Sequence, residues 1–173
     1  MGLPELKQTT TEARVNALAM PQGGWSMTAR TAALSRVQTM GLPSRRDEYW
    51  KFTRPDTLTA VDAPDAAALD PEEKPVFGDI DRLKIVFVDG VFDADASDDL
   101  TLEGVSIERL AAVADKDIHW AKDLYGVLET NGQTPVHRPL AALNTAFATD
   151  GVLIHVTGRV SRPISLIYHH VST

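Results

Sequence analysis

The residues best suited to chemistry or binding are concentrated between Leu42 and Thr53, which read LPSRRDEYWKFT. This stretch holds two arginines, one lysine, two carboxylates and three aromatics, in a chain whose aromatic content is only 6%. Aromatics at this spacing commonly fill a small core, whereas Arg, Tyr and Trp are also enriched at protein interfaces. A structural cluster and a docking surface therefore both remain open. The residues of this candidate signature are Arg45, Arg46, Glu48, Trp50 and Lys51.

The five histidines do not form an evident metal site. No pair stands four residues apart on a predicted helix, and no HExxH motif occurs. His155 could approach His169 if the strands that carry them pair, which would supply at most two ligands. His169 and His170 would face opposite sides of a strand, so these two cannot simply share one ion.

The alternating acidic stretch from Asp93 to Asp99 resembles the opening of a calcium loop. An EF-hand loop needs glycine at its sixth position and glutamate at its twelfth, where this chain has Asp98 and Gly104. We therefore expect a solvated acidic turn here rather than a calcium site.

Several enzyme classes lack their signatures. The motifs GxSxG, GxxxxGK[ST] and GxGxxG do not occur. The chain has no cysteine, which excludes disulfides, thiolate nucleophiles and cysteine-ligated iron–sulfur clusters within these residues. We predict no catalytic, cofactor-binding or metal-binding residue and no enzyme activity; a carboxylate or histidine enzyme would need a deep pocket that gathers such groups.

Charge is segregated along a chain whose net charge is −7. Met1–Pro55 carries +4, Asp56–Glu129 carries −13, and Thr130–Thr173 carries +2. A charge of +4 without a basic run longer than two residues is weak for nucleic acid, so no nucleic-acid partner is predicted. The apolar runs are too short to span a bilayer and no signal peptide is recognised, so we expect a cytoplasmic protein without membrane association.

The periodicity of the first half predicts helices. Hydroxyl N-caps at Thr9–Thr11 predict a short helix that ends near Met20, and a second helix is predicted from about Trp25 to Met40. Gly41 is expected to end that helix in a left-handed conformation. Ser44 and Asp47 have the spacing of a capping box at the start of a further helical turn.

From Leu83 the pattern changes to strands. Leu83–Val88 and Val91–Phe92 predict a hairpin, because Asp89-Gly90 tolerates the positive φ angles of a type I′ turn. The other predicted strands are Val105–Ile107, Val152–Val156 and Ile164–Tyr168, and the other predicted helices are Glu108–Ala114, Ile118–Leu128 and Leu140–Ala148.

The predicted fold class is α+β. A helical region with an acidic linker, Asp62–Pro75, occupies residues 1–75, and a mixed α/β region occupies residues 76–173. Val152–Val156 and Ile164–Tyr168 lack an evident third strand, and a two-stranded sheet is marginal alone. We therefore expect the chain to be a fragment of a longer protein.

Three passages resemble the SufB/SufD family. GLPSRRDEYWKFT resembles its GxPxxxxExWxxT element, and IVFVDGVF is similar to its strand-turn-strand. LAALNTAFATDGVLIHV followed by RPISLIY resembles its LN-A-F--DG--I-V and PI-L-Y passage. The matching residues are Gly41, Pro43, Glu48, Trp50, Thr53, Leu143, Asn144, Ala146, Phe147, Asp150, Gly151, Pro163 and Ile164.

The resemblance, in the order of its motifs, favours the N-terminal part of a SufD subunit. It implies a non-catalytic scaffold in the SUF iron–sulfur cluster assembly system, with a helical domain leading into the first strands of a truncated right-handed parallel β-helix. The implied partners are a SufB-like subunit and a SufC-like ABC ATPase, with a homodimer left open. No cofactor is implied within this segment, because the family's regions for cluster chemistry lie later. The alternative is a stand-alone binding module whose basic aromatic segment contacts nucleic acid or an acidic protein.

Overall fold

The computed structural model describes residues 3–62, 77–134 and 136–171, which form a mixed α+β fold with helices at the N-terminal side, as predicted. The chain divides into two compact units. Unit 1 comprises Met1–Pro64 and Val113–Thr149, and unit 2 comprises Asp65–Ala112 and Asp150–Thr173. The predicted boundary between residues 75 and 76, and all of the predicted linker after Asp62, lie outside the described residues.

Helix α1 of unit 1 spans Glu5–Asn16, so the predicted helix from Thr9 to Met20 is wrong at both ends. Pro4 precedes its first residue with φ −56°. The threonine hydroxyls do not cap the helix but lie inside it. Thr9, Thr10 and Thr11 each donate to the carbonyl oxygen four residues earlier, at 2.7–3.0 Å. A hydroxyl satisfied in this way does not mark a helix start.

Helix α2 spans Met27–Met40 and confirms the predicted second helix. Trp25, Ala33 and Val37 are buried, as the apolar period predicts. The helix ends at Gly41, which has φ +67° and donates its N–H to the Val37 carbonyl oxygen at 2.8 Å. A Cβ at this position would come within 2.8 Å of the flexible Lys7 side chain, which can move, so the positive φ angle is what favours glycine here.

Among the residues of unit 1 that the structure describes, the other α-helices are α3 (Asp56–Thr59), α5 (Val127–Asn131) and α6 (Pro139–Phe147), and the last of these confirms a prediction. The predicted helix Ile118–Leu128 is wrong. A 3-10 helix at Trp120–Asp123 and α5 replace it, because Gly126 between them has φ +79°, which a continuous helix does not allow. One buried apolar cluster of unit 1 contains Val37, Leu42, Ala142 and Leu143.

Unit 1 also buries Arg30 of α2, which is only 1% exposed. Its Nε donates to Ser26 Oγ at 2.9 Å and its Nη1 donates to the Ala146 carbonyl oxygen at 3.1 Å. The guanidinium lies 5.3 Å from the centre of the Tyr125 ring. Burial lowers the pKa of Arg30, and the field of Tyr125 opposes that shift. These partners make Arg30 a structural link between α2 and α6.

Unit 2 contains a three-stranded sheet in the order β2-β1-β5. Strands β1 (Leu83–Val88) and β2 (Val91–Asp93) form the predicted hairpin, with φ +48° at Asp89 and +83° at Gly90, as a type I′ turn requires. Strand β5 (Ile164–His169) runs parallel to β1.

The second sheet of unit 2 pairs β3 (Val105–Arg109) antiparallel with β4 (Val152–Val156). The condition for an approach of His155 to His169, pairing of the strands that carry them, is not met, because β4 and β5 belong to different sheets. His155 lies opposite Ser106, and His169 lies opposite Val88.

The short helix α4 (Leu110–Val113) begins later than predicted, because Glu108 and Arg109 pair in β3. In the part of the chain that the structure describes, no helix is long and apolar enough to cross a membrane.

Candidate functional site

The motif segment, Leu42–Thr53 in unit 1, is attached to α1. The Leu42 N–H donates to Thr11 Oγ1 at 2.8 Å, and the Leu42 side chain is buried in the core. Further along the segment, Lys7 Nζ donates to Asp47 Oδ2 at 2.9 Å. Helix α1 therefore holds the motif segment at two points, Leu42 and Asp47. The sequence pattern indicated neither attachment.

Asp47 fixes the turn that opens the segment. Its Oδ2 accepts the Ser44 N–H at 2.8 Å, which confirms the return bond of the predicted capping box. Partial burial alone raises the pKa of Asp47, but hydrogen bonds from Lys7 and Ser44 outweigh it and hold the pKa below its ordinary value. Asp47 is therefore ionised at neutral pH and forms a clamp between α1 and the segment.

The backbone beyond Asp47 is a 3-10 helix, Glu48–Trp50, preceded by a turn, so the predicted helical turn is present in 3-10 form over these three residues. Trp50 donates its N–H to the Asp47 carbonyl oxygen at 2.9 Å, and Thr53 donates to that of Trp50 at 3.0 Å. These bonds give the segment a defined backbone.

The structure places the predicted docking residues mostly on the surface. Arg45 and Arg46 are exposed and, within the described residues, neither makes a hydrogen bond or an ion pair. Lys51 and Glu48 are also exposed and form an ion pair at 3.8 Å, and Trp50 is half-buried.

The interpretation that all three aromatics fill a core is wrong. Tyr49 is 66% exposed and Phe52 is 93% exposed. Lys51 Nζ lies 5.5 Å from the centre of the Phe52 ring. The segment therefore presents aromatic and cationic side chains together.

A cleft of about 480 Å³, the Trp50 cleft, lies beside the motif segment. Of the predicted docking residues, Glu48 and Trp50 line it, whereas Arg45, Arg46 and Lys51 do not. Its apolar walls are formed by Met40, Pro43, Tyr49, Trp50, Val136 and Pro139. The Lys7–Asp47 clamp and His137 also line it. Asp47, the most constrained carboxylate of the cleft, is already bonded to Lys7. The arrangement therefore suits binding better than acid–base chemistry.

The described residues contain no candidate metal site. Among residues 3–62, 77–134 and 136–171, no three His, Cys, Asp or Glu side chains are grouped as metal ligands would be. The acidic stretch from Asp93 forms a turn in which Asp93 Oδ1 accepts the N–H groups of Asp95 and Ala96 at 3.0 Å.

The Asp150 corner in unit 2 consists of Arg109, Ala111, Asp150 and Gly151. Asp150 Oδ2 accepts hydrogen bonds from the Arg109 guanidinium, whose Nε lies at 3.1 Å. Its Oδ1 accepts the N–H of Ala111 at 3.1 Å and of Gly151 at 2.8 Å. Arg109 also lies 4.3 Å from the centre of the Phe92 ring.

The Asp150 corner has a structural role. Partial burial alone raises the pKa of Asp150, but the hydrogen bonds from Arg109 and from the Ala111 and Gly151 N–H groups outweigh it and the pKa lies below its ordinary value. The ionised carboxylate joins the end of β3 to the start of β4. The sequence marked Asp150 and Gly151 as matching positions of the family passage but could not identify Arg109 as the partner of Asp150.

The motif segment, the β1–β2 hairpin and the Asp150 corner all fall within one family match. A family model described as the SufBD protein N-terminal region matches residues 25–166, which is most of the chain. No curated protein matches the chain. The family match confirms the resemblance read from the motifs and supports a role in SUF iron–sulfur cluster assembly. The chain belongs to the SufBD protein family.

Proposed function

We propose that the chain is a non-catalytic scaffold or accessory subunit in iron–sulfur cluster assembly and that it is SufD-like. The family match over residues 25–166 is the observation that carries this proposal. The lack of cysteine supports it, because such a chain offers no thiolate to a cluster. On this proposal the chain carries no cofactor of its own, and any cluster is held by the whole complex.

The proposed architecture is a helical region that leads into a right-handed parallel β-helix. The parallel pairing of β1 with β5 supports it, because parallel strands stacked in register are the unit of a β-helix. The register runs from Leu83 opposite Ile164 to Val88 opposite His169. A structure of the full-length protein tests this: further parallel strands beside β5 would support it, and an antiparallel partner there would contradict it.

The proposed partners are a SufB-like subunit and a SufC-like ABC ATPase, in the cytoplasm, with a homodimer left open. The test is to co-express the full-length protein with both subunits from the same organism and to purify it anaerobically by a tag on the SufB-like subunit. We expect all three to elute together in size-exclusion chromatography. Elution of this protein alone, with its partners folded and present, would overturn the proposal.

The second candidate is a stand-alone binding module that uses the motif segment. The exposure of Arg45, Arg46 and Phe52 favours it, since these groups are free to meet a partner. If the partner were nucleic acid, affinity for DNA or RNA would fall with added salt and on substitution of Arg45→Ala and Arg46→Ala. Salt-independent or undetectable binding would exclude that version.

A further inference from the structure

We propose that the motif segment and the Trp50 cleft form one docking site for an acidic segment of a partner protein that carries an apolar anchor residue. The inference rests on the proposed scaffold function, because it names the kind of surface that the scaffold recognises.

The first support is preorganisation of the backbone. The Leu42 N–H is bonded to Thr11, and the Asp47 carboxylate is bonded to both Lys7 and Ser44. The 3-10 helix Glu48–Trp50 continues this ordered stretch. A fixed backbone reduces the conformational entropy that binding must remove.

The second support is charge. Arg45, Arg46, Lys51 and Arg54 are exposed cations of the segment and the residue beside it. The charge of Asp47 is balanced by Lys7 at 2.9 Å, and the exposed Glu48 is paired with Lys51 at 3.8 Å, which leaves the charges of Arg45, Arg46 and Arg54 unbalanced within the segment and the residue beside it. The surface is therefore positive, in a chain that is negative overall. Carboxylates of a partner complement such a surface, and arginine can bind them with two parallel hydrogen bonds.

The third support is the pairing of these cations with apolar surface. The Trp50 cleft has an apolar wall from Met40, Pro43 and Pro139 beside Trp50, and its volume of about 480 Å³ accommodates a side chain. Tyr49 lines the cleft and is largely exposed. Interfaces commonly combine a central apolar anchor with a polar rim.

These observations favour a protein over nucleic acid. Glu48 lies in the cleft lining, where it would repel a phosphate or a carboxylate, so the cleft takes the apolar anchor and the partner's carboxylates contact Arg45 and Arg46 outside it. An apolar wall of Met40, Pro43 and Pro139 suits an aliphatic side chain better than a sugar-phosphate backbone, whose binding depends chiefly on a track of cations.

The probe is a labelled synthetic peptide with glutamates on both sides of one leucine, measured by fluorescence anisotropy with the full chain. Matched peptides replace glutamate by lysine, or leucine by serine, and a deoxythymidine oligonucleotide represents nucleic acid. We expect the glutamate–leucine peptide to bind at least about tenfold more tightly than each of the other three probes, and more weakly as salt is raised. Tighter binding of the lysine peptide or the oligonucleotide, or no binding of the glutamate–leucine peptide, would overturn the inference.

A double variant, Arg45→Glu with Arg46→Glu, tests the location. We expect about a tenfold or greater loss of affinity for the glutamate–leucine peptide. The matched control is Lys122→Glu with Arg159→Glu, which makes the same net charge change at two exposed positions and should bind nearly as wild type. Equal loss in both variants would show that net charge alone governs binding and would contradict the site.

The indole N–H of Trp50 reports on the cleft by NMR. We expect this resonance to shift on peptide addition while that of Trp25, which is buried and donates to the Val113 carbonyl oxygen at 2.8 Å, stays in place. An unmoved Trp50 resonance at saturating peptide would overturn the anchor.

Failure of this inference is distinguishable from failure of the proposed function. The function fails if the wild-type protein does not assemble with SufB-like and SufC-like subunits. The inference alone fails if the wild type assembles, and the Arg45→Glu, Arg46→Glu variant assembles equally well.

Discussion

Asp47 in unit 1 and Asp150 in unit 2 use the same electrostatic device in different ways. Each carboxylate is held ionised by a cation and by backbone hydrogen bonding. Asp47 accepts from Lys7 and from the Ser44 N–H, and Asp150 accepts from Arg109 and from two backbone N–H groups. At Asp150 the bonded groups close a corner between two paired strands. At Asp47 they hold a turn whose neighbouring side chains are exposed. The same device therefore closes a corner between strands in one unit and orders a turn with exposed neighbours in the other.

The largest expected effect comes from breaking the Asp150 corner. Asp150→Ala removes the acceptor of two backbone N–H groups and leaves the Arg109 guanidinium without its carboxylate. We expect a loss of about 3 kcal/mol in the free energy of unfolding, measured by urea denaturation and circular dichroism. The exposed Glu103→Ala serves as control in unit 2. A loss similar to that of the control would refute the structural role.

A smaller effect is expected at the Asp47 clamp. Asp47→Ala should cost about 1 kcal/mol, because the Asp47 carboxylate is more exposed than that of Asp150. Amide hydrogen exchange should become faster between Ser44 and Thr53 while the centre of α2 keeps its protection. Asp47→Asn, which retains an acceptor for Ser44, should have a weaker effect. Unchanged exchange in Asp47→Ala would show that the clamp does not order the segment.

Acid titration separates the two carboxylates by their surroundings. Both have folded pKa values below the unfolded value, which is about 3.9, so each contributes stability above that pH and loses it as the pH falls through the folded pKa. The difference in unfolding free energy between wild type and Asp150→Asn should therefore shrink on acidification, and that for Asp47→Asn should shrink by less because its carboxylate is more exposed. A difference that grew at low pH would contradict the lowered pKa values of these two carboxylates.

The smallest expected effect on stability is at the exposed end of the motif segment. Arg45→Glu with Arg46→Glu should change the free energy of unfolding by less than about 0.5 kcal/mol, because neither arginine has a partner among the described residues. Phe52→Ser, at a side chain that is 93% exposed, should be equally mild. Thermal unfolding of both variants beside wild type measures this. A large loss would assign these residues to the fold.

The elements that sequence predicted well are those whose determinants are local. Helix α2 has its apolar period and its terminal Gly41 in adjacent residues, and the β1–β2 hairpin has Asp89-Gly90 between its strands. The Ser44–Asp47 bond also depends on residues three apart. Such signals are readable without knowledge of the rest of the chain.

The features that sequence missed depend on distant partners. The parallel pairing of β1 with β5 joins Leu83 to Ile164, and no local pattern indicates that choice. The same holds for the attachment of Asp47 to Lys7 and for the burial of Arg30, whose polar partners include the Ala146 carbonyl oxygen. The composition of the motif segment indicated a docking surface, but only the structure shows which of its aromatics are exposed.

The central claim is that the Asp150 corner stabilises the fold whereas the motif segment docks a partner. Its most direct test compares three purified full-length proteins for their anaerobic capture by the SufB-like and SufC-like subunits. These are the wild type, Arg45→Glu with Arg46→Glu, and the control Lys122→Glu with Arg159→Glu. We predict that the first double variant loses capture by about tenfold while it unfolds like wild type, and that the control is captured normally. Capture of the Arg45→Glu, Arg46→Glu variant at wild-type level would contradict the account.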